Sequence, residues 1–206
     1  IEAEPPVVER CIRQAGIGFL FAPALHKAMK HAIGPRRQLA VRTVFNILGP
    51  LTNPAGARRQ LLGVFSEALV EPIAAVLGNL GATRAMVVHS LDGMDEISLC
   101  DETFAAEVNE GRIRTRRIAP EDVGLARAGL EDLLVEGLEG SVAAVRSVLD
   151  GEAGPRRDMV LLNAGAAVYV GGKADTLKDG LRAAADSVDS GGAKEALQRL
   201  VELSQA

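Results

Sequence analysis

The sequence has few cysteines, no excess of positive charge and no long apolar run, and each scarcity excludes a class of protein. Its 206 residues include two cysteines, Cys11 and Cys100, which lie far apart and do not form a C-x-x-C pair. A zinc site or a disulfide framework is therefore not expected, and a reducing cytoplasm fits this composition. The net charge of −4 argues against a nucleic-acid-binding protein that works through bulk charge. Because every apolar run is shorter than the roughly 18 residues of a transmembrane helix, we expect no membrane partner.

The glycine loops that bind nucleotides are absent as well, although the chain contains 22 glycines. The stretch GGK at residues 171–173 resembles the end of a P-loop. A P-loop, however, requires glycine at the position of Ala167, and serine or threonine at the position of Ala174. The sequence also has no G-x-G-x-x-G motif. Both types of nucleotide loop are therefore excluded.

Hydrophobic residues make up 48% of the chain, which is enough for the core of one large domain. A strand-like segment at 60–65, a helical segment at 67–81 and a second strand-like segment at 84–89 form a β-α-β unit. Such a unit is typical of a parallel sheet. We therefore predict an α/β fold with a mostly parallel central sheet and helices on both faces.

The remaining segments are mostly helical. Apolar periodicity and helix start and stop signals predict helices over residues 5–16, 24–34, 36–49, 139–151, 176–191 and 193–204. The segment 96–118 is typical of β-structure with a tight Asn-Glu-Gly turn, and its basic stretch GRIRTRR is interpreted as the solvent-facing side of a β-hairpin. Residues 17–23 are predicted to form a short buried run, and residues 157–172 to begin as a strand or a buried helix.

Two adjacent carboxylates follow the predicted strand 84–89. Asp95 and Glu96 come after His89 and a glycine-containing turn, in the stretch VVHSLDGMDEIS. Ligands of β-α-β sheets bind outside the carboxyl ends of the strands, which places these acids where a site would lie. Mg²⁺ usually takes one or two protein carboxylates and shares the phosphates of its substrate. The pair is therefore a candidate magnesium site facing a common cleft, and the alternative is a solvated acidic turn, which is the more frequent case.

Arg36 is a second candidate. It follows Pro35 at the start of a predicted helix, where a guanidinium opposes the helix dipole. Such an arginine is either solvated or held in place to meet an anion, and a carboxylate matches its planar fork best. His26 precedes it on a segment rich in basic residues, whereas a lone histidine such as His31 is more often structural. From these residues alone, we favour the solvated interpretation of Arg36.

One stretch makes the sequence resemble a known family. RTVFNILGPLTNPAG at residues 42–56 closely resembles a signature of anthranilate phosphoribosyltransferases, the tryptophan-pathway enzymes that join anthranilate to phosphoribosyl pyrophosphate. The stretches VVHSLDGMDEIS (87–98) and LLNAGAAVYVGGKADTLKDG (161–180) are similar to this family too, as is GIGFLFAPALHKAMKHAIGPRR (16–37). The resemblance covers residues 1–206 as the carboxyl-terminal portion of a phosphoribosyltransferase α/β domain, with residues 36–58 expected to belong to the hinge or helical subdomain.

The resemblance implies an anthranilate-binding role for four residues. Arg36 matches the arginine that faces the carboxylate of anthranilate. Pro50 matches a proline that lines the same aromatic pocket. His26 and Met29 match positions on the helix that borders the anthranilate entry. The resemblance thus points to the carboxylate-binding interpretation of Arg36.

The resemblance also implies the metal and the reaction. Asp95 and Glu96 match the acidic pair that holds Mg²⁺ on the pyrophosphate of the substrate. The amine of anthranilate would attack the anomeric carbon of phosphoribosyl pyrophosphate, and pyrophosphate would leave. Negative charge would build on the leaving group, so its stabilisation by the metal would be the main catalytic contribution. The resemblance further implies a cytoplasmic homodimer that associates through a helical subdomain.

The sequence departs from the family in two respects. The GTGGD phosphate loop and the KHGN segment of the family do not occur in the 206 residues, and the chain begins at Ile1 without a methionine. We therefore expect an N-terminally truncated chain that does not catalyse the reaction by itself. A smaller departure is Ser90, which stands where the family more often has glycine.

Two alternative functions remain open at this point. A pyrimidine nucleoside phosphorylase of the same fold would carry different base-recognition residues and would not need the LGPLTNP run. A non-catalytic relative that binds nucleic acid would present a basic face and would tolerate loss of the Asp95–Glu96 pair. The acidic composition and the intact pair argue against the second alternative.

Overall fold

The computed structural model describes residues 3–21, 48–49 and 51–205. The predicted helices 24–34 and 36–49 lie entirely or almost entirely outside these residues, as do four of the proposed site residues: His26, Met29, Arg36 and Pro50. The chain divides into two compact units. One unit comprises Ile1–Gly56 with Gly192–Ala206, and the other comprises Ala57–Gly191.

The larger unit contains a four-stranded sheet in the order β1-β2-β3-β4. Its strands are β1 (Arg59–Gly63), β2 (Arg84–Ser90), β3 (Thr103–Asn109) and β4 (Arg112–Ile118). Strands β1 and β2 are parallel, whereas β2–β3 and β3–β4 are antiparallel. The α/β class is therefore confirmed, but the prediction of a mostly parallel sheet is wrong for the strands described. The β-α-β unit gives one parallel pair. The two-residue turn between β3 and β4 allows antiparallel pairing alone, and residues 91–102, which join β2 to β3 and which the structure describes throughout, contain no crossover helix.

The β3–β4 connection is the tight hairpin that the sequence predicted. Glu110 and Gly111 form its turn with φ angles of 49° and 78°, which is the left-handed geometry of a type I′ hairpin turn. The side chains of β4 are exposed from Arg112 to Arg117, and its last residue is buried. The interpretation of the basic stretch as a solvent-facing part of a hairpin is confirmed.

Helices cover both faces of this sheet. The unit contains α2 (Val70–Asn79), α3 (Leu130–Leu133), α4 (Gly137–Leu149), α5 (Pro155–Val170) and α6 (Leu177–Asp189), with 3₁₀ turns at Glu67–Leu69 and Pro120–Val123. Met86 and Val88 of β2 belong to the core cluster that α5 and α6 complete. The opposite face packs on α2, where Gly78 lies against Val108 of β3. The predicted helices on both faces are thus confirmed.

Helices α5 and α6 are in close contact at Gly165 of α5. A Cβ atom on Gly165 would lie 2.6 Å from the backbone nitrogen of Leu181, so no larger side chain fits there without moving the helices apart. Leu162, on the same helix as Gly165, is fully buried. The sequence left strand and helix open only for the start of the segment 157–172. Residues 157–170 are thus part of a single helix, α5, and residues 171–172 follow its end.

The smaller unit contains α1 (Pro5–Ala15) and α7 (Gly192–Gln205), which pack together. The guanidinium of Arg10 donates a hydrogen bond of 2.8 Å to the carbonyl of Leu203. The segment after α1 was predicted to be buried, but Ile17 and Phe19 are 45% and 52% exposed. That prediction is wrong for these two residues, because an apolar run is buried only where another surface covers it.

Among the helices of the described residues, none is both long and apolar enough to cross a membrane.

Candidate functional site

The candidate site lies at the edge of the sheet where β1 and β2 end. These strands are parallel, so their carboxyl ends, at Gly63 and Ser90, lie at the same edge. The chain continues from β2 into residues 91–97, which we call the acidic loop because it contains Asp92, Asp95 and Glu96. Ligands of α/β folds bind outside this end of parallel strands.

A tight turn begins the acidic loop. The backbone N–H of Ser90 donates to the carbonyl of Met94, and the N–H of Gly93 donates to the carbonyl of Ser90, both at 2.9 Å. Gly93 has a φ of 95°, a conformation that favours glycine. The carboxylate of Asp92 accepts a hydrogen bond of 3.0 Å from the N–H of Met94. Asp92 therefore shapes the turn, as aspartate often does in such positions.

Buried hydroxyl groups fix the other end of the acidic loop. Ser98 is fully buried, and its hydroxyl donates to the second carboxylate oxygen of Asp92 at 2.5 Å. The same hydroxyl accepts from the N–H of Cys100 at 2.8 Å. The hydroxyl of Thr103, also fully buried, accepts from the N–H of Ser98 at 3.1 Å. Both ends of the loop are thus tied to each other and to the start of β3.

The side chain of Asn163 on α5 binds the chain directly after the two acids. Its amide oxygen accepts from the N–H of Ile97 at 2.9 Å, and its amide nitrogen donates to the carbonyl of Ile97 at 2.8 Å. The amide nitrogen also donates to the carbonyl of Met159, one helical turn earlier, at 3.0 Å. Asn163 therefore connects the acidic loop to α5 through both backbone groups of one residue.

The end of β1 lies against the acidic loop without any side chain between them. A Cβ atom on Gly63 would lie 2.5 Å from the carbonyl carbon of Asp95 and closer still to its oxygen. The φ of Gly63 is not in the left-handed region, so space alone requires glycine here. The backbone of Asp95 is therefore seated directly on the strand end.

The two carboxylates stand at the surface of this framework. Asp95 and Glu96 are both exposed, while Ile97 beside them is fully buried. The pKa of Glu96 is raised above its ordinary value, first by partial removal from water and then by the negative charges of Asp95 and Asp92. Neighbouring carboxylates that repel each other in this way gain stability when a cation is shared between them.

A mostly apolar groove of about 440 Å³ borders the acidic loop. Met94, Glu96 and Met159 are among its lining residues, together with leucine and valine side chains of α3 and α4 and the segment that joins them. Of these two acids, Glu96 lines the groove in the described structure and Asp95 does not. A common cleft for both acids therefore stays a prediction.

The donor chemistry of the acidic loop fits a hydrated hard cation. Within the residues that the structure describes, no group of three or more His, Cys, Asp or Glu side chains is arranged to hold a metal ion. The pair Asp95–Glu96 therefore could not enclose a cation alone. Mg²⁺ does not need such an enclosure, because it keeps several waters and binds substrate phosphates beside one or two carboxylates. These two residues fit that coordination.

His89 and Ser90 have structural roles at the end of β2. The Nδ1 atom of His89 lies 2.8 Å from the carbonyl oxygen of Val64, just past the end of β1. Ser90, at the position where the resembling family more often has glycine, is fully buried, and its hydroxyl donates to the carbonyl of Glu102 at 3.4 Å. Both side chains therefore contact backbone carbonyl groups of the protein, and these contacts do not indicate a role in substrate binding.

The sequence indicated the acid pair but not the two residues that position it. Gly63 and Asn163 both contact the acidic loop, and neither belongs to a sequence motif that indicates a site. Asn163 carries a signal that could have been used, because an amide in the middle of a strongly apolar helix needs hydrogen-bond partners. Arg36, His26, Met29 and Pro50 lie outside the described residues, so their predicted roles stay predictions.

The chain matches a known protein family and curated relatives. The sequence profile described as "Glycosyl transferase family, a/b domain" matches residues 1–194. The chain is 55% identical over 201 residues to an anthranilate phosphoribosyltransferase of Thioalkalivibrio sulfidiphilus, and 56% identical over 198 residues to one of Syntrophotalea carbinolica. These alignments cover 98% and 96% of this chain but 60% and 56% of the relatives. The chain thus spans somewhat more than half the length of these relatives.

Solved structures lead to the same group of proteins. The fold superposes on the crystal structure of anthranilate phosphoribosyltransferase from Thermus thermophilus with a TM-score of 0.92 and 46% identity, over 100% of this chain and 61% of that one. The yeast enzyme in complex with PRPP and Mg is 26% identical with a TM-score of 0.86, and the match covers 99% of this chain and 58% of that one. The resemblance inferred from the sequence motifs is therefore confirmed. Because the family profile matches nearly the whole chain, the chain belongs to the glycosyl transferase family with the a/b domain.

Proposed function

We propose that the protein containing this chain transfers the phosphoribosyl group of phosphoribosyl pyrophosphate to the amine of anthranilate and releases pyrophosphate, a step of tryptophan biosynthesis. The acidic loop is the observation that carries this proposal. It places two neighbouring carboxylates at the ligand-binding edge of a β-α-β unit, on a rigid framework. Relatives that are more than half identical over this same region bear the name of that enzyme.

Asp95 and Glu96 would hold Mg²⁺ together with oxygens of the pyrophosphate group. When bound, the cation would neutralise the charge that develops on the leaving pyrophosphate. The contribution of this chain is to keep the two carboxylates together at low energetic cost, through the turn at Asp92 and the contacts of Gly63 and Asn163. A site already held in its productive geometry needs little reorganisation during the reaction.

The aromatic substrate would meet a different part of the chain. Arg36 would bind the carboxylate of anthranilate through its planar fork. Pro50 would line the aromatic pocket, and His26 and Met29 would border the entry. The resemblance supports these roles residue by residue, and it suggests that 36–58 belong to a hinge or helical subdomain through which a cytoplasmic homodimer would form.

The phosphate-binding GTGGD and KHGN segments of the family would have to come from sequence outside these 206 residues. They would supply backbone N–H groups and a lysine to the phosphates of the substrate. We therefore propose that catalysis needs a protein that carries those segments together with this chain, and that the chain alone does not turn over.

The alternatives that the sequence left open have less support. A nucleic-acid-binding relative would need free positive charge, but the exposed arginines of β4 are partly neutralised. Arg116 pairs with Glu107 at 2.6 Å, and Arg117 pairs with Glu102 at 3.7 Å. A pyrimidine nucleoside phosphorylase would not explain the LGPLTNP run, which matches the anthranilate-specific signature.

The test is the Mg²⁺ dependence of turnover in the complete protein. The double variant Asp95→Asn with Glu96→Gln keeps the size of both side chains and removes their charge. We expect the maximal rate to fall roughly 10²- to 10³-fold, because stabilisation of the leaving group is lost. Asp101→Asn with Glu102→Gln is the matched control, since it neutralises another adjacent Asp–Glu pair nearby. The metal assignment would be contradicted if the maximal rate fell equally in both double variants, or if it fell in neither.

A further inference from the structure

Asn163 is unusual because a polar side chain in the middle of an apolar helix makes all three of its hydrogen bonds to backbone groups. Both ends of its amide contact Ile97, and a third bond goes to Met159 on its own helix. Leu162 and Ala166, which lie near it on α5, are fully buried. An amide offers two donor hydrogens and one acceptor oxygen, so both donors and the acceptor of this side chain are engaged.

The orientation of the amide follows from its partners. The N–H of Ile97 can only donate, so it must face the amide oxygen, whereas the carbonyls of Ile97 and Met159 can only accept. A flipped amide would oppose donor to donor. The bond to Met159 holds the Asn163 side chain along α5. The two bonds to Ile97 then fix both the N–H and the carbonyl of this loop residue.

This connection lies where it acts on the two carboxylates. Ile97 directly follows Glu96, and its side chain is fully buried. On the other side, the carbonyl of Asp95 rests against Gly63 at the end of β1. The backbone that carries both acids is therefore held between a strand end and a helix, and Asn163 provides the hydrogen bonds of the helix side.

We propose that Asn163 is a positioning residue for the cation: it holds the backbone of Asp95 and Glu96 so that both carboxylates can serve one hydrated Mg²⁺. The inference rests on the proposed function, because that function gives the acidic loop its cation. Residues behind metal ligands often change metal affinity or activity by about 10- to 100-fold when they are removed. Asn163 therefore determines the Mg²⁺ requirement of the reaction and leaves the binding of anthranilate unchanged.

The variants are Asn163→Ala and Asn163→Gln in the complete protein. Alanine removes all three hydrogen bonds, while glutamine keeps the same groups on a side chain that is one methylene longer. Tyr169→Phe is the matched control, because it removes one hydrogen bond from the same helix, the 3.0 Å bond from the Tyr169 hydroxyl to Glu107 on β3. That bond has no connection to the acidic loop in the described structure.

The first readout is independent of catalysis. Without metal, hydrogen exchange at the amide of Ile97 should be about 10-fold or more faster in Asn163→Ala than in Tyr169→Phe, since this amide loses its acceptor. The second readout is the Mg²⁺ concentration that gives half the maximal rate. It should rise about 10-fold in Asn163→Ala and less in Asn163→Gln, with the KM for anthranilate unchanged and Tyr169→Phe at the wild-type value.

Three results would overturn the inference. If exchange at Ile97 increases but the Mg²⁺ requirement stays at the wild-type value, Asn163 has a structural role only, and the proposed function stands. If Asp95→Asn with Glu96→Gln also leaves the Mg²⁺ requirement unchanged, the metal assignment fails and the inference falls with it. If alanine prevents folding, the glutamine variant decides the question, because an unchanged Mg²⁺ requirement in it together with faster exchange at Ile97 contradicts the proposal.

Discussion

Replacing Gly63 by alanine tests the packing of the candidate site with a single methyl group. The Cβ atom would lie 2.5 Å from the carbonyl carbon of Asp95. Carbon atoms in contact are separated by about 3.5–4.0 Å, and the carbonyl oxygen of Asp95 lies closer still to the added Cβ, so the loop backbone must retreat by more than about 1 Å. Ile97 is held by Asn163 close to this point, so the movement strains or breaks those hydrogen bonds.

The expected cost in stability follows from this overlap. Overpacking a well-filled region costs about 1–3 kcal/mol, and an alanine also restricts the unfolded chain, which offsets about 0.4–1 kcal/mol. Loss of a hydrogen bond to Ile97 would add about 1 kcal/mol. We therefore expect Gly63→Ala to lower the free energy of unfolding by roughly 1–3 kcal/mol. Turnover should fall at least about 10²-fold, because a displacement of about 1 Å in a catalytic site already has an effect of that size.

Gly140→Ala is the matched control. Gly140 lies within α4, and a Cβ atom there would meet no atom within 4 Å. The same chemical change should therefore stabilise the protein by roughly 0.5–1 kcal/mol, because alanine favours helix more than glycine does. Urea unfolding and steady-state kinetics on the complete protein give both quantities. If Gly63→Ala were as stable and as active as Gly140→Ala, the close contact between the strand end and Asp95 would be refuted.

Three further perturbations test separate parts of the chain. Thr176→Ala should lower the free energy of unfolding by about 1 kcal/mol in urea denaturation, because the Thr176 hydroxyl accepts from the N–H of Asp179 at the start of α6; an unchanged value would exclude this cap. The folded state raises the pKa of Glu96, so its charged form opposes folding, and Glu96→Gln should be more stable than wild type at pH 7 without Mg²⁺. This advantage should vanish as the pH falls below 4.5, and an advantage that grew in acid would contradict the sign. Arg36→Ala should raise the KM for anthranilate roughly 10- to 100-fold with little change for phosphoribosyl pyrophosphate, and equal KM values would end the proposed carboxylate contact.

The fold class followed from local patterns, but the pairing of the sheet did not. The β-α-β alternation located β2 over nearly its whole length, 84–89 against the observed Arg84–Ser90. Extending the parallel arrangement to the whole sheet was wrong, although the Asn-Glu-Gly turn itself indicated a hairpin and hence an antiparallel pair. The Asn-Glu-Gly turn correctly indicated an antiparallel pair. The prediction of a mostly parallel sheet came from extending the β-α-β pattern to strands outside that unit.

The site could be predicted only where its residues are adjacent in sequence. Asp95 and Glu96 stand together after a strand, so their position and residue type made them a candidate cation site. Asn163 lies 66 residues from its partner Ile97, and Gly63 belongs to another strand. Contacts of this kind depend on the tertiary arrangement of β1, β2 and α5, which periodicity does not specify. The same limit explains why the exposure of Phe19 was missed.

The uncharged residues around the acidic loop explain how two adjacent acids can be kept at one place. Partial removal from water and then the negative charges of Asp95 and Asp92 raise the pKa of Glu96, so its ionised form is disfavoured at this place. A loop without fixed backbone contacts would relieve this repulsion by changing its backbone conformation, at the cost of any shared ligand. The contact at Gly63 and the hydrogen bonds of Asn163 oppose that relaxation from both sides. If a cation binds there as proposed, its binding would remove this repulsion without further movement of the backbone.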